Sequence, residues 1–260
     1  MTDHIRTEEA DGILSMWFNR PDKKNAITGA MYHALADGLA AAKASPAIRA
    51  VLLGGTGETF TAGNDIKDFL AMPGGLASSP ASRFITAIAT FGKPLVAAVN
   101  GPAIGVGTTL LLHCDLIYAS PDATLRVPFV DLGLVPEAGS SLLLPHRIGQ
   151  ARAAAMLLLG EPMDAPAALA AGLFNAVVPA EALMEHARSK ALSLAAKPPA
   201  ALAASRALMR GTADALAVHM QREVAAFNAA LAGPEAKEAF AAFLERRPPD
   251  FSNLPHTVRG

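Results

Sequence analysis

Apolar and polar positions along the chain alternate between two periods. Residues 13–18 form a short apolar run closed by Asn19-Arg20-Pro21-Asp22, which predicts a strand and a turn. Met31, Leu35 and Leu39 then recur at helical spacing behind Thr28, a good cap, and predict a helix to about residue 44. Residues 50–53, 95–99, 116–119 and 124–127 are further short apolar runs of strand type. Between them, residues 60–63 read as extended, Ile66 onward as helical, and 105–113 as an apolar helix opening on small residues. Pro136 suits the first position of another helix, which puts Glu137 in its first turn. Beyond Gln150 the expectation is helices at 151–159 and 165–171, a last strand at 174–178, then helices alone at about 180–196, 199–210, 212–231 and 235–246.

Strands and helices in this order predict an α/β fold with parallel strands and right-handed crossovers. A unit of strand, glycine turn and helix recurs near 50–70, 95–113 and 116–145. Pro198-Pro199 divides a core, residues 1–197, from a helical segment, 198–260. The segment is too short for a large core of its own, and its Ala, Leu and Phe suit it to pack on another subunit. Residues 73–80 are the most loop-like stretch and could shape a pocket.

A chain of 260 residues, 52% hydrophobic, can bury a sizeable core. Its 22 basic and 23 acidic residues leave a net charge of −1, no footprint for nucleic acid or an anionic membrane. Cys114 is the only cysteine, which excludes an internal disulfide and fits a reducing cytoplasm. The start lacks a signal-peptide pattern, and no apolar run reaches the length of a membrane span.

Candidate chemistry sits where strands hand over to helices. The first N–H groups of a helix have no internal acceptor and favour an anion or a developing oxyanion. Gly63 leaves such donors near Asn64 and Asp65, and Gly105 and Gly107 allow a ligand close to the main chain. Taken alone, a glycine cluster reads first as small residues packing helix on sheet, and Asp65 could be no more than a helix cap. Lys23 and Lys24 are solvated turn charges or a phosphate contact. Glu137 is flanked by Leu132, Leu134, Val135 and Leu142, so burial would raise its pKa toward the range of a general base; a helix-capping role is the alternative. His113-Cys114-Asp115 does not make a metal site, because adjacent side chains diverge and further ligands are missing; no metal is expected.

Several segments, in this order, resemble the crotonase (enoyl-CoA hydratase/isomerase) superfamily: RPDKKNAIT, FTAGNDIK, KPLVAAVNGPAIGVGTTLLLHCDLIYA and FAAFLERRPPDF. The resemblance implies a crotonase-like spiral of repeated ββα units with a C-terminal helical trimerisation segment, assembled as a homotrimer or a dimer of trimers. It implies an acyl-CoA substrate, with no other cofactor, whose adenine and phosphates lie near Lys24, Ala26, Ala62, Asp65 and Ile66. The N–H groups of Asn64 and Val106 would hold the thioester oxygen and stabilise an enolate.

Hydratases of the superfamily carry two glutamates at the places occupied here by Thr109 and Phe129, whereas some enoyl-CoA isomerases carry a single acid at the place of Glu137. The resemblance therefore implies Δ3-to-Δ2 enoyl-CoA isomerisation with Glu137 as acid and base. Hydratase activity with Glu137 alone orienting water is the runner-up. A dehalogenase ranks lower, since Phe129 stands where a tryptophan is expected, and a non-catalytic acyl-CoA-binding protein is the reading from another class.

Overall fold

Ile5–Ala10 (β1) and Ile13–Phe18 (β2) form an antiparallel hairpin in the computed structural model, which describes residues 2–71, 76–77, 79–211 and 213–254. Asp11 and Gly12 both take positive φ at the turn (55° and 77°), the two-residue geometry that matches strand twist. Helix α1, Gly29–Ala44, follows with Thr28 as its cap, the hydroxyl accepting from the Met31 N–H at 3.4 Å. Such a cap contributes about 1 kcal/mol. The buried Met31, Tyr32, Leu35 and Leu39 contribute roughly 1.5–3 kcal/mol each, so packing decides the helix.

The chain continues through β3 (Ala50–Gly55), α2 (Ile66–Ala71), α3 (Pro80–Ala89), β4 (Leu95–Val99), β5 (Ala103–Ile104) and α4 (Val106–Thr109). Next come β6 (Leu116–Ala119), β7 (Thr124–Arg126), α5 (Ser140–Ile148), α6 (Gln150–Leu159), β8 (Met163–Asp164), α7 (Ala165–Ala170) and β9 (Ala176–Val177). Helices α8 (Leu183–Ala195), α9 (Pro199–Arg210), α10 (Ala213–Ala232) and α11 (Pro234–Glu245) complete the described chain. The main sheet has the order β1-β2-β3-β4-β6-β9 and is parallel except for the β1–β2 pair. A smaller sheet joins β5, β7 and β8.

Alternation along the strands assigns the two faces of the main sheet. Leu14, Met16, Val51, Leu53, Leu95, Ala97 and Ile117 enter the large core with α1, while Ile13, Leu52, Val96 and Tyr118 meet Leu183, Ala187 and Ala191 of α8. Lys93 donates from Nζ to the carbonyls of Ala42, Ser45 and Ile48, closing the carboxyl end of α1. Asp115 ties the tail to the sheet: Oδ2 accepts from the Leu95 N–H at 2.8 Å and from Arg206 Nε at 2.9 Å. Phe227 of α10 and Phe240 of α11 lie in the main core, each against Phe69 at ring-centroid distances of 6.4 and 6.1 Å. No described helix is long and apolar enough to cross a membrane.

Three expectations are corrected. The helix at 105–113 is one α-helical turn, α4, prolonged as a 3-10 helix over Leu110–His113. The helix expected from Pro136 begins only at Ser140, because Ala138 and Gly139 take left-handed φ of 57° and 74°; Glu137 is in the turn before it. The strand expected at 174–178 is confined to β9. Of the loop at 73–80, residues 73–75 and 78 lie outside the described residues. Ser79 caps α3, and the Leu76 N–H donates to Asn228 Oδ1 at 2.8 Å.

Candidate active site

Two segments that end strands lie side by side. Thr61 bridges Ala103 in parallel, the Thr61 N–H donating to Pro102 O at 3.2 Å and the Ile104 N–H to Thr61 O at 3.0 Å. Asn64 lies three residues past Thr61, and Val106 three past Ala103, so the register brings these two positions to the same end. The contact is close: a Cβ on Gly63 would meet Ile104 O at 2.7 Å, and one on Gly107 would meet Thr61 Cγ2 at 2.5 Å. Asn64 also bridges Ile27, and that bond pair is made by its neighbours, Ile27 N–H to Gly63 O and Asp65 N–H to Ile27 O. In a parallel bridge the N–H of Asn64 itself then points to the opposite edge. The Val106 N–H opens α4 behind Gly105, whose φ of 56° and ψ of −121° only glycine adopts readily. Neither N–H meets a backbone acceptor among the described residues.

Glu137 faces the same space and is 5% exposed. Its Oε1 accepts from Thr109 Oγ1 at 2.5 Å, and its Oε2 has no partner among the described residues. Burial pushes the carboxyl up, to about 7; the Thr109 hydroxyl partly offsets this, and the Glu223 carboxylate adds to it. His113 reaches the next residue from below, its Nε2 lying 2.8 Å from Ala138 O. A carbonyl only accepts, so that nitrogen carries the proton, and burial holds the ring neutral with a pKa near 4.

A cavity of about 780 Å³ joins these groups. Its walls include Phe69, Ile85, Phe129, Leu134, Phe227 and Phe240, and Arg20, Lys23, Lys67, Arg126 and Arg247 bring cations to it. Arg20, Arg126 and Arg247 are paired with carboxylates; Lys23 and Lys67 have none within 4 Å among the described residues.

Of the residues expected to hold the nucleotide part of a ligand, Ala26, Ala62, Asp65 and Ile66 line the cavity, and Lys24 does not. The Lys24 side chain is exposed, and its carbonyl accepts from the Ala62 N–H at 2.9 Å, which locks the first two segments together. Asp65 Oδ2 receives Arg20 Nη1 at 2.7 Å; burial raises this carboxyl, but Arg20 and the backbone donors outweigh it and hold the pKa low.

Sequence reasoning missed three residues here. Buried Asn25 donates from Nδ2 to the carbonyls of Thr56 and Thr59 and accepts the Arg20 N–H at Oδ1. Tyr32 donates from its hydroxyl to Asn64 Oδ1 at 2.6 Å, and Glu223 receives the Gly139 N–H. Asn25 lay within a quoted motif; Tyr32 and Glu223 carried no local signal.

His113, Cys114 and Asp115 engage separate partners: Ala138 O, Leu110 O, and Arg206 with Arg210. Burial, chiefly, pushes the Cys114 thiol up to about 12.

Residues 8–254 match the family model described as enoyl-CoA hydratase/isomerase. Human enoyl-CoA delta isomerase 2 is 38% identical over 207 residues, which are 77% of this chain and 52% of that protein. The 2,3-dehydroadipyl-CoA hydratase of Escherichia coli K12 is 33% identical over 241 residues, 92% of this chain and 94% of that protein. The chain thus spans about half of the human relative and nearly all of the bacterial one. A solved enoyl-CoA hydratase/isomerase of Pseudoalteromonas atlantica T6c has a TM-score of 0.91 at 44% identity, covering 96% of this chain and 100% of its own. The fold, the paired segments and these matches agree: the chain belongs to the enoyl-CoA hydratase/isomerase family of the crotonase superfamily.

Proposed function

We propose that the chain is an enoyl-CoA isomerase that moves a double bond from Δ3 to Δ2. The observation that carries this is Glu137, a buried carboxyl that lines the cavity, has one oxygen without a partner among the described residues and is pushed by burial up to about 7; by the family resemblance, Thr109 and Phe129 stand at the places of the hydratase glutamates. Glu137 takes a proton from C2 of a 3-enoyl-CoA, leaving a dienolate. The N–H groups of Asn64 and Val106 hold the thioester oxygen as charge develops on it, and Glu137 returns the proton to C4. Ala26, Ala62, Asp65 and Ile66 flank the nucleotide end of the ligand, with Lys23 meeting its phosphates. One carboxyl in the two protonation states suffices, and no second acid is needed. Hydratase activity, with Glu137 alone orienting water, is the second reading, favoured by the near full-length match to a bacterial hydratase. The assembly proposed is a homotrimer or a dimer of trimers, in a cytoplasm whose reducing conditions suit the single buried thiol.

The test supplies trans-3-hexenoyl-CoA and crotonyl-CoA in parallel, with Glu137→Gln as control, and follows products by mass and absorbance. Conversion to 2-hexenoyl-CoA without water addition, lost in the variant, is expected. Water addition to crotonyl-CoA as the faster reaction overturns the isomerase, and tight acyl-CoA binding without turnover of either overturns both enzyme readings.

A further inference from the structure

We infer that Glu223 of α10 is a positioning residue for Glu137: it occupies the amino-terminal donors of α5, so that this helix end does not hold Glu137 as a stabilised anion. The inference rests on the proposed role of Glu137 as the base. Glu223 is 6% exposed, and its carboxylate takes three donors from the turn that follows Glu137. The Gly139 N–H reaches Oε2 at 2.5 Å, the Ser141 N–H reaches Oε1 at 3.0 Å, and Ser141 Oγ reaches Oε1 at 2.5 Å.

Glu137 lies only three residues before α5, where free N–H groups and the helix dipole stabilise a carboxylate and lower its pKa. That would leave a weak base. With Glu223 seated there, the donors are used and a second negative charge stands close by. Glu137 keeps one hydrogen bond, from Thr109, its other oxygen has no partner among the described residues, and the residue lines the cavity. The turn is held from both sides, by Glu223 at Gly139 and Ser141 and by His113 at the Ala138 carbonyl, which fixes the left-handed Ala138 and aims the Glu137 side chain.

The titratable groups facing this pair come from three elements. Tyr32 of α1 is bonded to Asn64, and burial keeps it protonated. His113, from the 3-10 turn, is neutral, with Arg147 and Arg210 acting on it. On α10, His219 Nε2 is 2.8 Å from Ser141 Oγ and 3.6 Å from Glu223 Oε1.

The experiment titrates the Glu137 carboxyl in the resting protein by infrared difference spectroscopy, with Glu137→Gln identifying its band, in the wild type, Glu223→Gln, Glu223→Asp and Ser141→Ala. The midpoint is expected to fall by about one pH unit in Glu223→Gln, and by less in Glu223→Asp, whose carboxylate is retracted by one carbon. Ser141→Ala, which removes a hydroxyl and no charge, is expected to leave it in place. The acid limb of kcat/KM should move with the midpoint. An unmoved midpoint in Glu223→Gln, or in Glu223→Asp where the first variant does not fold, overturns the inference and makes Glu223 a structural cap, even if thermal stability drops. Because the titration needs no turnover, full activity in Glu137→Gln would defeat the catalytic reading alone and leave the coupling measured.

Discussion

At Glu137, the proposed role as a base and the stability of the fold pull in opposite directions. Burial raises the carboxyl from its ordinary value of 4.5 to about 7. Between those values the native protein binds a proton that the unfolded chain has lost, so stability falls as pH rises. The contribution of the protonated carboxyl is complete below 4.5 and gone once pH passes about 7. Above about pH 7 the protein thus carries a buried charge costing about 3 kcal/mol, a figure in which the Thr109 hydrogen bond is already included. Glutamine keeps the acceptor and removes the charge. Glu137→Gln is therefore expected to match the wild type in urea unfolding at about pH 5 and exceed it by about 2–3 kcal/mol at about pH 8.5, while losing turnover. Equal stability at both pH values would mean that the carboxyl is not held in an apolar setting.

At the scale of elements, the site depends on how strands become helices. Gly105 shows the constraint most clearly: its φ of 56° and ψ of −121° suit glycine, yet a Cβ there would meet no heavy atom within 4 Å. Gly105→Ala therefore loses stability through backbone strain alone, about 1–3 kcal/mol. Relief of that strain turns the Val106 N–H away, and kcat is expected to drop about 100-fold or more. Kinetics alongside a thermal melt check this; a destabilised variant with unchanged kcat would remove Val106 from the donor pair.

The same elements show what local pattern can and cannot reveal. Runs such as 95–99 and the Thr28-capped helix were legible because apolar spacing and a cap agree with the tertiary packing. Strand β1 was not, since IRTEEA buries only Ile5 and has no alternating signal. Glu137 was found as a residue but misplaced as to element, because Pro136 suits a helix start while two left-handed residues postpone it. Glu223 stood outside local reasoning altogether: it reaches the site from more than 80 residues downstream, through a fold that no spacing encodes.

Across the whole molecule, the tail both closes the cavity and presents a surface that one chain leaves uncovered. Phe227 and Phe240 roof the cavity from α10 and α11, while α9 turns its charge inward: Arg206 is 7% exposed, held by Asp115. On the same helix Leu208 is 84% and Met209 87% exposed, and on α6 Leu158 and Leu159 are 65% and 66% exposed. Charge inside and large apolar side chains outside reverse the usual arrangement of a surface helix, and such a face is stable in water when another surface covers it. In the proposed trimer that cover is a second copy of this chain. Leu208→Glu together with Met209→Glu leaves the inward Arg206 contact intact and places two charges in the apolar face. Light scattering behind a sizing column should then report a species smaller than the wild type, with an unchanged circular dichroism spectrum. A double variant of wild-type mass would take this face out of the assembly and leave α6 as the surface to change next.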